Sequence, residues 1–290
     1  MTVIEHARPS AALLADAAVL SLCAEARLSP KPGLVDARGG GAHDDMDLPL
    51  MLASAEALRP AFRMIAQAAE RTPAGVGLRE RLGVIGRLGD RAMLRATGGI
   101  NTHRGALWSL GLLVAAVAGG AAGERAAAGD AARLAALPDR WVPAGEPSHG
   151  ERARRRYGTG GARREAENAF PHVIGVALPR LWAGRAAGLG EDSARLDALL
   201  AVMSLLDDTC VLHRGGPGGL RAVQHGARRV LDEGGAGTGS GRAALMELDD
   251  ALRARRLSPG GSGDLLAAAL FLDRVPWPER LEQEVLACGR

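Results

Sequence analysis

Lysine and aromatic residues are scarce in this chain of 290 residues. Of its 36 basic residues only Lys31 is a lysine, and aromatic residues make up 3% of the sequence. The core must therefore be built mainly from Ala, Leu and Val, which favours closely packed helices over a β-sandwich. The 33 acidic residues leave a net charge of +3. No basic stripe with interleaved aromatics occurs, which argues against nucleic-acid binding.

Cysteine is also rare, and its spacing excludes a disulfide framework or a zinc site. Cys23, Cys210 and Cys288 are odd in number and far apart, which is typical of a protein in a reducing compartment. The N-terminal residues show no signal-peptide pattern, so we expect a cytoplasmic protein. The most apolar run, residues 107–123, is short and rich in Ala and Gly. It is predicted to be a buried helix rather than a membrane span.

Apolar residues recur with helical spacing along most of the chain, whereas alternating runs rich in β-branched residues are missing. The sequence predicts an all-α fold, a single-domain multi-helix array over residues 1–290. The predicted helices cover 11–28, 48–70, 78–96, 102–118, 163–185, 193–212, 220–232, 242–256 and 264–273. Residues 137–160, rich in Pro, Gly and Arg, are predicted to form a surface loop. Neither a Walker-type phosphate loop nor a dinucleotide-binding glycine motif occurs.

Polar residues concentrate at the junctions between predicted helices, first around Lys31. Pro30 and Pro32 flank this lysine and favour a stiff, extended backbone that would hold it at a fixed point. Because every other basic residue is arginine, a compact ammonium here points to a phosphate or carboxylate contact. The alternative is that the segment only ends the first helix.

Two junctions are rich in carboxylates. Residues 39–47 contain His43 and three aspartates, more than a helix cap requires, and such oxygen ligands suit Mg²⁺. Asp207 and Asp208 close an apolar helix, where mutual repulsion and the helix dipole disfavour them unless a metal ion or a cation is close. If that helix continues, Asp207 shares a face with Arg214.

Two further junctions combine glycines with cationic residues. In residues 97–105, Asn101 or Thr102 can cap the most apolar helix, and the free N–H groups together with Arg104 form an anion site. Capping does not explain the presence of a histidine, His103, in the same turn. Residues 158–165 repeat the arrangement with Arg163, as a weaker signal.

Six strings, in chain order, resemble the triphosphoribosyl-dephospho-CoA synthase family. They are SPKPGLVD (29–36), GAHDDMD (41–47), GGINTHRGALWSLGLL (98–113), GARREAENAFP (161–171), DDTCVLHRGG (207–216) and SPGGSGDLLA (258–267). The resemblance spans most of the chain. It implies an all-helical enzyme that transfers the 5-triphosphoribosyl group of ATP to the 2′-hydroxyl of 3′-dephospho-CoA and releases adenine. Because no phosphoryl group moves in that reaction, a phosphate loop is not needed.

The resemblance also implies roles for the polar residues. Mg²⁺ is expected at Asp45, Asp207 and Asp208. Glu25 and Asp36 are candidates for the catalytic base or for metal support, and His213 for contact with adenine or phosphate. The residues expected to bind the substrates are Lys31, Asn101, Thr102, His103, Arg104, Arg163 and Arg214.

The product would be the precursor of the prosthetic group of an acyl carrier protein, attached by a downstream transfer enzyme. Chain length and arginine content favour malonate decarboxylase over citrate lyase. Two other interpretations stay open, namely a metal-dependent helical hydrolase of N-glycosidic bonds and a non-catalytic subunit that binds nucleotide or CoA. No nucleic-acid or membrane partner is expected. A homodimer is expected only because C₂ dimers are the commonest assembly.

Overall fold

The computed structural model describes residues 8–142 and 149–277. In these ranges the regular structure is helical, apart from an isolated bridge between Asp36 and Gly39, so the predicted all-α class is confirmed. A π-helical turn, Val173–Ala177, lies between α8 and α9. The helices are α1 (Ala11–Arg27), α2 (Leu48–Ala57), α3 (Arg59–Arg71), α4 (Val76–Ala96), α5 (Arg104–Ala118), α6 (Glu124–Ala136), α7 (His149–Tyr157), α8 (Gly161–Glu167), α9 (Leu178–Ala186), α10 (Glu191–Met203), α11 (Thr209–Asp232), α12 (Gly239–Ala254) and α13 (Gly260–Arg274).

Helix α5 lies in the centre of the larger apolar core. All of its residues from Ser109 to Ala118 are buried, and it packs against α1, α3, α4, α6 and α13. Small residues allow this packing, since a Cβ atom at Gly111 would lie only 3.1 Å from Cδ1 of Ile65. The apolar run is therefore the buried helix that the sequence predicts. Within the described ranges, no helix combines the length and the apolarity needed to cross a bilayer.

Helix α13 joins the two apolar cores of the molecule. Leu265 and Phe271 belong to the core around α1, α3 and α5. Leu266 and Leu270 belong to a second core, formed with α10, α11 and α12. Because α13 is buried on both sides, the residues at its N-terminus are held in a fixed position relative to both cores.

Three of the long predicted helices are divided, and the one predicted over 163–185 breaks after Glu167 into α8, the π-helical turn and α9. The helix predicted over 48–70 breaks at Leu58, since Pro60 fits the first turn of a new helix but not the interior of an old one. The helix predicted over 193–212 ends at Met203, and the Asp208 side chain caps the next helix. The helix does not continue through Asp207, so the condition under which Asp207 would share a helical face with Arg214 is not met. Asp208 lies at a helix N-terminus, where the helix dipole stabilises its charge.

The segment expected to be a surface loop, residues 137–160, contains helix α7. Arginine is a good helix former, and this Arg-rich helix packs against α11 with Ala153 buried in the second core. The loop prediction was wrong for this part because a tertiary contact stabilises the helix. Residues 143–148 lie outside the described residues.

The alanine-rich helix α6 was not predicted from the sequence. It packs against α5.

Candidate active site

The ends of four helices meet beside the loop that follows α1. The N-termini of α11 and α13 are joined through Asp208, whose Oδ2 accepts a 2.9 Å hydrogen bond from the Ser262 backbone. The N-terminus of α13 also approaches the C-terminal turn of α1, since a Cβ atom at Gly263 would lie 3.0 Å from Oε1 of Glu25. It approaches α5 as well, because a Cβ atom at Gly105 would overlap Oδ2 of Asp264. Residues from four of the six family-like strings therefore surround one polar cluster.

Lys31 forms a buried ion pair with Glu25. Its Nζ lies 2.6 Å from Oε1 of Glu25, and the two side chains are 1% and 7% exposed. Glu25 is in the last turns of α1, and Lys31 follows in the loop. The single lysine of the sequence thus makes a carboxylate contact, one of the two contacts that its isolation suggested.

Asp36 fixes the loop that carries Lys31. Its carboxylate accepts hydrogen bonds from the backbone N–H groups of Lys31 (2.9 Å) and Arg38 (2.8 Å), and from the Arg38 guanidinium (2.7 Å). Arg38 and the backbone of Gly33 also donate to the buried Asp249 of α12. Burial acts to raise the pKa of Asp36, but these hydrogen bonds hold it below its usual value. A carboxylate this acidic is a weak proton acceptor, and the predicted catalytic role of Asp36 stays untested.

His103 is buried, and a contact at its Nδ1 atom fixes the orientation of its ring. Its Nδ1 lies 2.8 Å from Oγ of Ser54, which is 2.5 Å from Oγ1 of Thr102. Its Nε2 is buried and has no hydrogen-bond partner among the described residues. Burial, with a smaller effect from the charge of Lys31, lowers the pKa of His103 to about 4. The ring is therefore neutral at physiological pH, with one nitrogen left to contact a ligand.

Asp208 and Asp264 are the remaining carboxylates of the cluster. Asp208 is 2% exposed and accepts hydrogen bonds from the backbone of Cys210 and from the backbone and hydroxyl of Ser262. Asp264 is partly exposed and accepts from the backbone N–H of Ala106. Burial raises the pKa of Asp208, although its hydrogen bonds oppose the change. Repulsion between carboxylates in a poorly hydrated site works in the same direction.

A rim of charged residues adjoins this cluster. Nη2 of Arg214 lies 3.1 Å from Nδ1 of His43, whose Nε2 is 2.9 Å from Oγ of Ser258. The exposed Asp45 lies 3.6 Å from the same histidine. Burial and the charge of Arg214 lower the pKa of His43. A depression of about 320 Å³ opens beside the rim, and its walls are Asp44, Asp45, Met46, Asp47, Leu50 and Ile100.

Other predicted substrate-binding residues lie on the outer surface, paired with carboxylates. Arg104 bonds to Asp90 at 2.8 Å, and Arg163 bonds to Glu167 at 2.7 Å. Asn101 accepts a 3.3 Å hydrogen bond from the Arg104 backbone, but the N-cap residue of α5 is His103, whose side chain makes no capping hydrogen bond. The structure does not place these guanidinium groups in the buried cluster.

Asp207 and His213 are exposed, whereas Asp208 is buried. Asp207 is exposed, and its charge acts on His172, whose Nδ1 lies 2.8 Å from the buried Glu165. The hydrogen bond to Glu165 raises the pKa of His172 against the effect of burial, and Asp207 adds to the rise. His213 is exposed on α11. The adjacent Asp207 and Asp208 therefore have different surroundings.

The three aspartates predicted to bind Mg²⁺ do not share one cage of ligands. Asp208 is engaged in capping, Asp45 lies beside His43, and Asp207 lies near His172. In residues 8–142 and 149–277, no three His, Cys, Asp or Glu side chains are grouped so that they could hold a metal ion. Mg²⁺ commonly uses only one or two carboxylates, with water and substrate phosphates as its other ligands. Its predicted binding is thus untested.

Sequence reasoning missed two members of the cluster, Ser54 and Asp264. Asp264 lies in the string SPGGSGDLLA, where dense glycines indicate close backbone approach, and that was the available signal. Ser54 lies in the middle of α2, and no local pattern distinguishes it from a surface serine. Its contact with His103 depends on how α2 packs.

The Lys31–Glu25 pair leads to a stability prediction. We expect Lys31→Met to lower the free energy of unfolding by about 3–5 kcal/mol, because it leaves the Glu25 charge buried without a partner. Arg229→Met is the matched control, since it removes an exposed pair with Glu247 and should cost less than about 1 kcal/mol. Urea unfolding followed by circular dichroism measures both. Equal losses in the two variants would contradict the burial argument.

The lowered pKa of His103 predicts a loss of stability in acid. Above about pH 6.5 the ring is neutral in both the folded and the unfolded chain. As the pH falls from 6.5 towards 4, the unfolded chain binds the proton first, and up to roughly 3 kcal/mol of stability is lost. His103→Asn should flatten this part of the curve of unfolding free energy against pH. His225→Asn, on the exposed side of α11, is the control, and equal slopes in both variants would refute the prediction.

Comparisons with known proteins show the family to which the chain belongs. The family model for CitG, ATP:dephospho-CoA triphosphoribosyl transferase, matches residues 11–283. A Klebsiella pneumoniae protein named 2-(5''-triphosphoribosyl)-3'-dephosphocoenzyme-A synthase is 53% identical over 272 residues, which cover 93% of this chain and 97% of that protein. A Pseudomonas paraeruginosa protein with the same name, preceded by "Probable", is 57% identical over 268 residues, 91% of this chain and 90% of that protein. No solved structure matches the chain. The chain therefore belongs to the ATP:dephospho-CoA triphosphoribosyl transferase family and is a transferase.

Proposed function

We propose that this chain attaches the 5-triphosphoribosyl group of ATP to the 2′-hydroxyl of 3′-dephospho-CoA and releases adenine. The observation that carries the proposal is the cluster of Glu25, Lys31, His103, Asp208 and Asp264. These residues are distant in sequence and meet where helix ends converge. The membership of the family, over most of the chain, agrees with it.

The reaction requires carboxylates near a sugar carbon. The C1′–N9 bond of ATP breaks and a C1′–O2′ bond to dephospho-CoA forms, so positive charge develops on the ribose, as in glycoside hydrolysis. Glu25 is held as a buried carboxylate by Lys31 and supplies negative charge close to the site of that change. Its burial also keeps water, the competing acceptor, away from this side of the ribose.

The departing adenine requires a polar contact. His103 is neutral, and Ser54 fixes its ring so that Nε2 remains available. We assign this nitrogen to the adenine base, since a heterocycle offers acceptor and donor atoms that can satisfy a buried imidazole nitrogen. The unpartnered nitrogen is costly in the free protein, and a bound base removes that cost.

The triphosphate would lie at the rim. Arg214 beside His43 offers cationic donors, and Arg104 and Arg163 can exchange their exposed carboxylate partners for phosphate oxygens. Exposed ion pairs contribute little to stability, so these exchanges cost little. Charge-assisted hydrogen bonds from guanidinium groups are well suited to phosphate.

Mg²⁺ would accompany the triphosphate, whose negative charge it partly neutralises. Asp45 is the most available of the three predicted ligands, because its carboxylate is 61% exposed beside Arg214 and His43. Asp207 is exposed and lies near His172, whereas Asp208 already accepts several hydrogen bonds. One such carboxylate with phosphate oxygens and water is an adequate set for Mg²⁺.

The product would be the precursor of an acyl carrier prosthetic group, and we propose malonate decarboxylase as the enzyme served, with citrate lyase as the second candidate. Chain length and arginine content support the first choice. We also propose a cytoplasmic location and a homodimer. A downstream transfer enzyme, and not this chain, would attach the product to the carrier protein.

The proposed reaction predicts one adenine released for each molecule of product. The purified protein, mixed with ATP, Mg²⁺ and dephospho-CoA, should give a product whose mass equals the sum of the substrates minus adenine. No ADP or AMP should form. Mass spectrometry and chromatography of the bases measure both. Adenine formed without dephospho-CoA would indicate a hydrolase instead, and tight binding without adenine would indicate a binding subunit.

The metal proposal predicts a shift in Mg²⁺ dependence. Chelation by EDTA should abolish adenine release, and Asp45→Asn should raise the Mg²⁺ concentration for half-maximal rate by about tenfold or more, since loss of a group that supports a metal costs about 10- to 100-fold in affinity. The neighbouring Asp44→Asn is the control, because Asp44 is engaged with Arg256. Identical Mg²⁺ curves for the two variants would exclude Asp45 as a ligand.

A further inference from the structure

Asp264 lies in the first turns of α13, pressed against the start of α5. The backbone N–H of Ala106 donates to its carboxylate. A Cβ atom at Gly105 would overlap its Oδ2, so a side chain at position 105 is incompatible with this placement. Asp264 is nevertheless partly exposed, in contrast to the buried Glu25 and Asp208.

Titratable groups from two other elements face Asp264. Glu25 approaches from α1 and Asp208 from α11, and both repel its negative charge. The Cys210 thiol, also on α11, lies within electrostatic reach. Burial is the largest effect, and with the two carboxylates it raises the pKa of Asp264 well above its usual value. The N–H of Ala106 opposes the rise. These surroundings make Asp264 a stronger base than an ordinary aspartate.

The other carboxylates of the cluster are occupied. Glu25 is bound to Lys31 at 2.6 Å. Asp208 accepts from the backbones of α11 and α13, and Asp36 is bound by Arg38 and the backbone. Among the described residues, Asp264 has the Ala106 N–H as its hydrogen-bond donor. Of these four carboxylates, Asp264 is the one that is partly exposed, so it is the one that a substrate can approach.

A second, independent observation indicates that a ligand binds here. His103 is 2% exposed, yet its Nε2 lacks a partner among the described residues. The charge of Lys31 acts on this ring, and Lys31 is bonded to Glu25, which in turn acts on Asp264. The open imidazole nitrogen and the available carboxylate thus belong to one continuous cluster.

We propose that Asp264 is a catalytic residue, the carboxylate that accepts the proton of the acceptor hydroxyl. This rests on the proposed function. As C1′–N9 breaks, the electron pair of that bond goes to adenine. The O2′–H bond of dephospho-CoA breaks, its oxygen forms the C1′–O2′ bond, and its proton passes to an Asp264 oxygen. Asp264 then releases this proton to solvent, and adenine takes up one proton at N9, so the number of protons is unchanged over the reaction.

The first test replaces the carboxylate. Asp264→Asn should lower kcat for adenine release by about 10²- to 10⁴-fold, the usual contribution of a general base, with little change in KM for ATP or dephospho-CoA. Asp273→Asn is the matched control, since it changes the same helix outside the cluster, at a contact with Arg185. Its kcat should stay near that of the wild-type protein.

The second test moves the carboxylate without removing it. Gly105→Ala places a methyl group where Oδ2 of Asp264 lies, while alanine favours the helix. A displacement of about 1 Å can cost about 10²-fold in rate, so kcat should fall by about that factor in a folded protein. Gly129→Ala, in α6 with nothing within 4 Å of the added atom, is the control and should be fully active.

The outcomes separate this inference from the function on which it rests. If the wild-type protein releases no adenine with both substrates present, the proposed function fails. If the wild-type protein is active and Asp264→Asn keeps its kcat, or loses only substrate affinity, the role of Asp264 is overturned while the transfer reaction stands. If Asp264→Asn does not fold, full activity in Gly105→Ala overturns the role.

Discussion

Burial of like charges is the constraint on which the rest of this structure depends. Glu25, Asp208 and Asp264 lie close together, and Lys31 is the cation that the described residues place among them. Carboxylates withdrawn from water repel one another strongly, and one ammonium cannot compensate for three of them. The fold answers with backbone N–H groups at helix N-termini, which stabilise negative charge through hydrogen bonds and the helix dipole. Asp208 accordingly caps α11 and also accepts from Ser262 in the first turn of α13, and Asp264 lies against the start of α5.

The same constraint explains three glycines of the family-like strings, Gly105, Gly261 and Gly263. A carboxylate can reach the backbone at a helix start only where no side chain occupies the space. Cβ atoms at Gly261 and Gly263 would lie 3.1 Å from Asp208 and 3.0 Å from Glu25, and one at Gly105 would overlap Asp264. The glycines therefore serve close approach of charged side chains, not flexibility. A side chain added at one of these positions would displace the neighbouring carboxylate, and this effect would be larger than any change in backbone conformation.

Local patterns predicted the helices and the polar junctions because both depend on residues near in sequence. Helices α1, α4, α5 and α12 follow from apolar spacing, and the contact of Lys31 with a carboxylate follows from its isolation between two prolines. The N-terminus of α11 could not be recognised from the sequence. An aspartate pair that follows an apolar run is typical of a helix end, and only the structure shows that Asp208 caps the next helix. Ser54, and helix α7 with its buried Ala153, depend on distant partners. No spacing rule reports which helix packs against which, so these features were accessible only from the fold.

The distribution of charge across the site matches the charge of the proposed substrate. Arg104 and Arg163 lie at the surface in ion pairs, and the exposed Arg214 bonds to His43, so all three can be released to a polyphosphate at little cost. Carboxylates lie inside, where their field is screened least. A ligand such as ATP would fit this arrangement with its triphosphate at the surface and its C1′ carbon, where positive charge develops, near the carboxylates. The reverse orientation would bring phosphate against Glu25 and Asp264, and repulsion would exclude it. A site of this polarity favours attack at the sugar carbon over attack at phosphorus.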